Sequence, residues 1–68
     1  MNNHFSKIAL TQLLSQYNIS KRSLSRLAGI SPALLTMMIK GQRTFQFRHK
    51  SNLAMILGHE EKEINWYE

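Results

Sequence analysis

Two short segments of this chain carry the same punctuation, one directly after the other. Ser20 stands where a helix N-cap belongs, with Ile19 before it and Leu24 after it at the spacing of a hydrophobic staple. The segment runs on through Leu24, Leu27 and Ala28, and Gly29 supplies a residue that takes the left-handed conformation at a helix end. Ile30, Ser31 and Leu35 then repeat the staple and cap. Pro32 sits at the first helical position, where its missing N–H costs nothing, and Gly41 closes the segment. Two short helices, each with its cap and staple, share a three-residue connection, so residues 20–41 predict a helix-turn-helix.

The rest of the chain reads as helical around that unit. Phe5, Ile8, Ala9, Leu13 and Tyr17 return at helical spacing, with Leu10 and Leu14 widening the stripe, which predicts a first helix over 5–17. Phe47, Leu53, Ala54 and Leu57 predict a fourth helix ending at Gly58, although Gln46 is a poor cap and Lys50 interrupts the stripe. A last turn or two from Glu60 to Trp66 has acids in its first turn, as the helix dipole favours. No alternation long enough for a strand is visible. The expected fold is all-α, a compact domain of four to five helices spanning residues 1–68 with the helix-turn-helix at 20–41. A domain of this length buries only about 60% of its unfolded surface and is marginally stable.

Charge narrows the function. Nine Lys and Arg face four acids, all of them glutamates, for a net charge of +5. Those acids are Glu60, Glu61, Glu63 and Glu68, so residues 1–59 hold no carboxylate side chain. A solvated structural surface mixes signs; one that excludes acids this completely points to a polyanionic partner, with nucleic acid ahead of an acidic membrane. Lys21 and Arg22 sit at a helix N-terminus, where two cations oppose the dipole, so a phosphate contact explains them better than solubility does. The helix starts at Ser20 and Ser31, together with Lys21, Arg22, Lys40, Gln42 and Arg43, are well placed to contact the phosphates of such a partner. Arg26, Arg48 and Lys7 could serve either as solvated charges or as further contacts.

At the level of motif, "SKRSLSRLAGISPALLTMMIKG" resembles the helix-turn-helix of the Xre/Cro class of phage-type repressors, the lambda-repressor-like fold. The match includes Leu24, Ser25, Ala28, Gly29, Ile30, Leu35 and Met38, and the spacing from Gly41 to Gly58 has the length of that family's link and fourth helix. Ser25, Lys21, Ile39 and Lys50 depart from the residues usual there, which are Ala, Gln, Glu and an apolar side chain. The resemblance implies that Leu24, Ala28, Leu35 and Met38 face the core, that Ser25 lets the two helices cross closely, and that helix 32–40 reads the major groove of double-stranded DNA from its N-terminal part. The implied base-reading set is Ser31, Pro32, Ala33, Thr36 and Met37. Pro32 and Ala33 have no side-chain hydrogen bond to offer, but they can pack on thymine methyls, and Thr36 offers both a hydroxyl and a methyl.

A single short reading helix gives little discrimination, so a homodimer on a pseudopalindromic operator is expected, with Ile64, Trp66 and Tyr67 as the dimer candidates. Alternatively, those rings complete the chain's own core. The leading function is a sequence-specific transcriptional regulator, a repressor in the first instance. Two competitors are an adaptor or antitoxin-like subunit that uses Leu34 and Met37 against a protein, and a non-specific architectural DNA binder. An enzyme has almost no support: the chain lacks Asp and Cys, and its three glycines are isolated rather than grouped in a phosphate loop. No cofactor is expected. His4, His49 and His59 lack ligand spacing, so no metal is expected either. The start of the chain has no signal-peptide pattern and no long apolar stretch, so the expected location is cytoplasmic, at the nucleoid.

Overall fold

The computed structural model describes residues 7–67. Within them four α-helices follow one another: α1 (Leu10–Gln16), α2 (Lys21–Ala28), α3 (Pro32–Ile39) and α4 (Phe47–Leu57). A 3-10 turn covers Glu61–Glu63, and two very short strands, β1 (Ile8–Ala9) and β2 (Ile64–Asn65), pair in parallel with Ile8 opposite Ile64 and Ala9 opposite Asn65. The helical class expected from the sequence is the one adopted.

Each helix ends through the same closure. Asn18, Gly29, Gly41 and Gly58 take positive φ of 59°, 73°, 78° and 76°. The residue after each donates its N–H back five positions: Ile19 to Leu14 O, Ile30 to Ser25 O, Gln42 to Met37 O and His59 to Ala54 O, at 2.8–3.0 Å. This is the Schellman arrangement, which satisfies carbonyls that a helix end leaves open. At the first two closures the next residue is the serine that opens the following helix. Asn18–Ile19–Ser20 and Gly29–Ile30–Ser31 are therefore one three-residue connector used twice, in which the isoleucine N–H seals one helix and its side chain packs against the core.

The core draws on every helix: Leu10, Leu13 and Leu14 from α1, Leu24 from α2, Leu35, Met38 and Ile39 from α3, and Leu53, Ala54 and Leu57 from α4. Phe45, Ile64 and Trp66 complete it from outside the helices. Burial of each leucine, isoleucine, methionine or phenylalanine among them contributes about 1.5–3 kcal/mol before entropy is counted. Ser25 is the one buried polar residue among those described; its hydroxyl donates to Arg22 O at 2.8 Å, so a small side chain sits at the α2–α3 crossing with its polar atom satisfied.

Several sequence expectations need correction. Helix α1 starts at Leu10 rather than near residue 5, because Ile8 and Ala9 are extended and pair with β2; Phe5 lies outside the described residues. Its inward face is Leu10, Leu13 and Leu14, while Tyr17 is exposed. The segment from Glu60 to Trp66 makes a single 3-10 turn, with a capping box between Glu60 and Glu63, before passing into β2. Leu27 points outward. At α4 it is Phe45, before the helix, that is buried, and Phe47 is 69% exposed. The Phe45 ring meets Trp66 edge-on at 5.0 Å between centroids and Tyr67 at 6.1 Å. Lys50, where an apolar residue was expected, is half-buried and rests its ammonium over the Tyr67 ring at 5.7 Å from the centroid.

Ile64 and Trp66, dimer candidates by sequence, instead lie inside the domain, at 1% and 4% exposure. The Trp66 indole N–H donates to Glu61 O at 3.2 Å. Side chains alternate from Ile64 onward, so Ile64 and Trp66 face inward and Tyr67 is the exposed member of the three.

Candidate nucleic-acid interface

The surface of interest is built by α2, α3 and the turn that follows α3. At the start of α2 the Ser20 hydroxyl accepts from the Ser23 N–H at 3.0 Å. It also donates to the Ser23 Oγ at 3.0 Å, so both sides of its chemistry are engaged within the chain. Ser31 caps α3 in the same way, accepting from the Leu34 N–H at 3.0 Å, with Pro32 in the first turn. Unlike Ser20, no acceptor inside the described residues takes the Ser31 hydroxyl proton, so Ser31 can donate outward.

Helix α3 divides cleanly. Leu35, Met38 and Ile39 are buried, and Leu34 is half-buried against the same core. Ser31, Pro32 and Ala33 are exposed at its start, Thr36 and Met37 are half-buried one turn on, and Lys40 is exposed at its end. The five residues proposed from sequence as base readers thus fall on the outward side of one helix, with a small-residue leading end that allows close approach. The apolar character of the helix has two sources: one face packs inward, and the other shows methyl and methylene groups.

The turn after α3 is held rather than loose. The Met37 carbonyl accepts from both the Gln42 N–H at 2.8 Å and the Arg43 N–H at 3.3 Å, and Gly41 N–H donates to Met38 O at 3.1 Å. Gln42 and Arg43, both exposed, are thereby fixed at the C-terminal edge of α3. Lys21, half-buried, and Arg22, exposed, stand at the start of α2. None of these cations has a carboxylate partner among the described residues. The salt bridges found there lie beyond residue 58: His59 Nδ1 to Glu63 at 3.5 Å, and Lys62 to Glu60 at 3.6 Å. His59 also shares a hydrogen bond of 2.7 Å with the Tyr17 hydroxyl, a packing role across the end of α1.

One feature went unassigned in the sequence. Between α2 and the start of α3 lies an open depression lined by Arg22, Ser25, Arg26, Ile30 and Pro32. By sequence alone Arg26 reads as a solvated charge or a further contact. Its spacing of four from Arg22 on a helix was the signal, since residues so spaced share a face.

A family model described as the Cro/C1-type HTH DNA-binding domain matches residues 9–67. No curated protein and no solved structure gave a match. Among the described residues no helix is long and apolar enough to cross a membrane.

Proposed function

Because the chain belongs to the Cro/C1-type helix-turn-helix DNA-binding domains, we propose that it is a transcriptional repressor that binds operator DNA with α3 in the major groove. The observation that carries this reading is the outward side of α3, small and apolar from Pro32 to Met37 and bordered by Lys21, Arg22, Lys40, Gln42 and Arg43 with no acid nearby in sequence. Phosphate contacts would supply most of the affinity and the register, and they carry no sequence information. Sequence would be read by Ala33, Thr36 and Met37 against thymine methyls, by the Pro32 ring, and by the Ser31 and Thr36 hydroxyls against acceptors on base edges. Arginine–guanine forks have no place in this scheme, because none of the base readers is an arginine. Repression needs nothing beyond occupancy: a domain seated on a promoter excludes polymerase without making any other contact.

The site is proposed to be occupied by a homodimer. A few methyl contacts of about 1 kcal/mol each cannot single out one site among the many a genome offers, whereas two-fold repetition squares the discrimination. With Ile64 and Trp66 inside the domain, the pairing surface belongs among exposed side chains such as Tyr67, Phe47 and Met55. Selection from a pool of randomised duplexes, followed by footprinting on the DNA flanking the protein's own gene, tests both parts. The expected result is a two-fold symmetric consensus with half-sites about 34 Å apart. A pool that gains no consensus would instead mark a non-specific binder. The exposed apolar side chains Leu27, Phe47 and Met55 favour one further reading, an adaptor whose essential partner is a protein; a chain that binds no duplex but co-purifies with one neighbouring gene product would establish it.

A further inference from the structure

The outward face of α4 carries apolar side chains that the domain's own core does not use. Met55 and Phe47 are the two most exposed large apolar side chains among the described residues, at 73% and 69%. They stand eight residues apart with exposed Ser51 midway. At that spacing all three share one stripe of the helix, away from the buried Leu53, Ala54 and Leu57. A single exposed apolar residue is ordinary on a protein surface. A stripe with a large residue at each end and a small one between them has the shape of a helix–helix contact: the serine lets two backbones approach, and the larger side chains close the space on either side.

Charge points to the partner. Arg48, in the first turn of α4, gives its Nε–H to Gln46 Oε1 at 2.9 Å and has no carboxylate partner among the described residues. Glu61 lies just past the other end of the helix. It is the one carboxylate side chain among those residues without a cation, since Glu60 meets Lys62 and Glu63 meets His59. The chain thus offers an open cation at one end of the stripe and an open anion beyond the other. A second copy laid antiparallel satisfies both, because two-fold symmetry brings the first turn of each α4 to the acidic end of the other. Parallel pairing would set Arg48 against Arg48. We propose that α4 is the pairing surface of a homodimer: two copies cross antiparallel about Ser51, with Phe47 of each against Met55 of the other and Arg48 facing the other copy's Glu61. The assignment rests on the two-fold operator reading and names the face that carries it. One face of an 11-residue helix is at the small end of interface sizes, so the pair free of DNA should be weak, with Kd about micromolar or above.

Cysteine cross-linking of the full chain, which has no cysteine of its own, reads the register. Ser51→Cys should form a disulfide between copies under mild oxidation. Phe47→Cys alone should not, but should link to Met55→Cys when the two proteins are mixed. Sedimentation then weighs the contacts. Met55→Lys should weaken self-association about tenfold or more. Arg48→Glu should weaken it about tenfold, because the symmetry repeats the contact, and adding Glu61→Arg should recover most of that loss. Leu27→Lys, exposed on α2, should change nothing. Melting curves verify folding, and Met55→Gln replaces Met55→Lys if that variant melts early. Phe47→Cys linking to itself, or a double reversal that recovers nothing, overturns the antiparallel pairing. A chain that selects a two-fold duplex but links at none of these positions also overturns it, and the operator reading then stands with a different dimer face. Pairing through α4 by a chain that selects no duplex would sink the operator reading alone.

Discussion

Replacing Trp66 with Ala should bring the domain close to unfolding. The indole is 4% exposed, meets Phe45 edge-on and donates its N–H to Glu61 O. Truncating a buried tryptophan to alanine costs about 3–5 kcal/mol, a figure that already includes its local contacts. Sixty-eight residues at the usual density of stability hold about 3–10 kcal/mol in all. At about 4 °C or more per kcal/mol for a domain this small, the melting temperature should fall by at least about 12 °C, and at the low end of the stability range the variant is unfolded at 25 °C. Far-UV circular dichroism is the appropriate readout, because the substitution removes the only tryptophan and with it the fluorescence probe. Trp66→Phe keeps an apolar ring but loses the indole donor, and should cost about 1–2 kcal/mol. Ending the chain at Glu63 removes Ile64 as well and should abolish the fold. If Trp66→Ala melted within a few degrees of the parent while losing self-association, the ring would belong to an interface and the core assignment would be wrong.

Three other outcomes are expected. Ser25→Ala should be tolerated within about 1 kcal/mol, because Ala fits the buried crossing and the hydroxyl bonds only a helix carbonyl, whereas Ser25→Leu should cost about 1–3 kcal/mol by overpacking; chemical denaturation of the pair measures both. Gly29→Ala should cost about 1–2 kcal/mol through its φ of 73° alone, since an added Cβ meets no atom within 4 Å; a thermal melt equal to that of the parent would show that the turn relaxes. Substituting deoxyuridine for thymine opposite Ala33, Thr36 and Met37 should weaken binding at those positions only, by about 1 kcal/mol each, and equal affinity for both duplexes would favour readout of DNA shape instead.

Local chemistry made most of this fold legible. Ser20, Ser31, Pro32, Gly29 and Gly58 announce helix ends through interactions with residues three to five positions away, and a sequence displays such interactions directly. Pairing of Ile8–Ala9 with Ile64–Asn65 was not legible, because two-residue strands are too short to show alternation and depend on contacts across almost the whole chain. The same gap explains Phe45 and Phe47. Both are apolar and two residues apart, and only the position of Trp66 decides which is buried. At the candidate interface, helical spacing located the outward residues of α3, but Arg26 required the open depression to be seen, since Ile30 and Pro32 line it from outside α2.

The bridge between β1 and β2 also favours one order of folding. Ile8 and Ile64 are 56 residues apart, and closing a loop of that length costs roughly 3–4 kcal/mol of chain entropy beyond a constant. The helices and their connectors need contacts over only a few residues, so they can assemble first and shorten the distance that the two strands must search. Docking of Ile64 and Trp66 is then the step that completes the core rather than the one that starts it. Substitutions there should act chiefly by hastening unfolding, whereas those at Leu24 or Leu35 should slow folding. In a growing polypeptide, α2 and α3 are made before Ile64 and Trp66, so the core that backs the reading helix is complete only once that last segment docks.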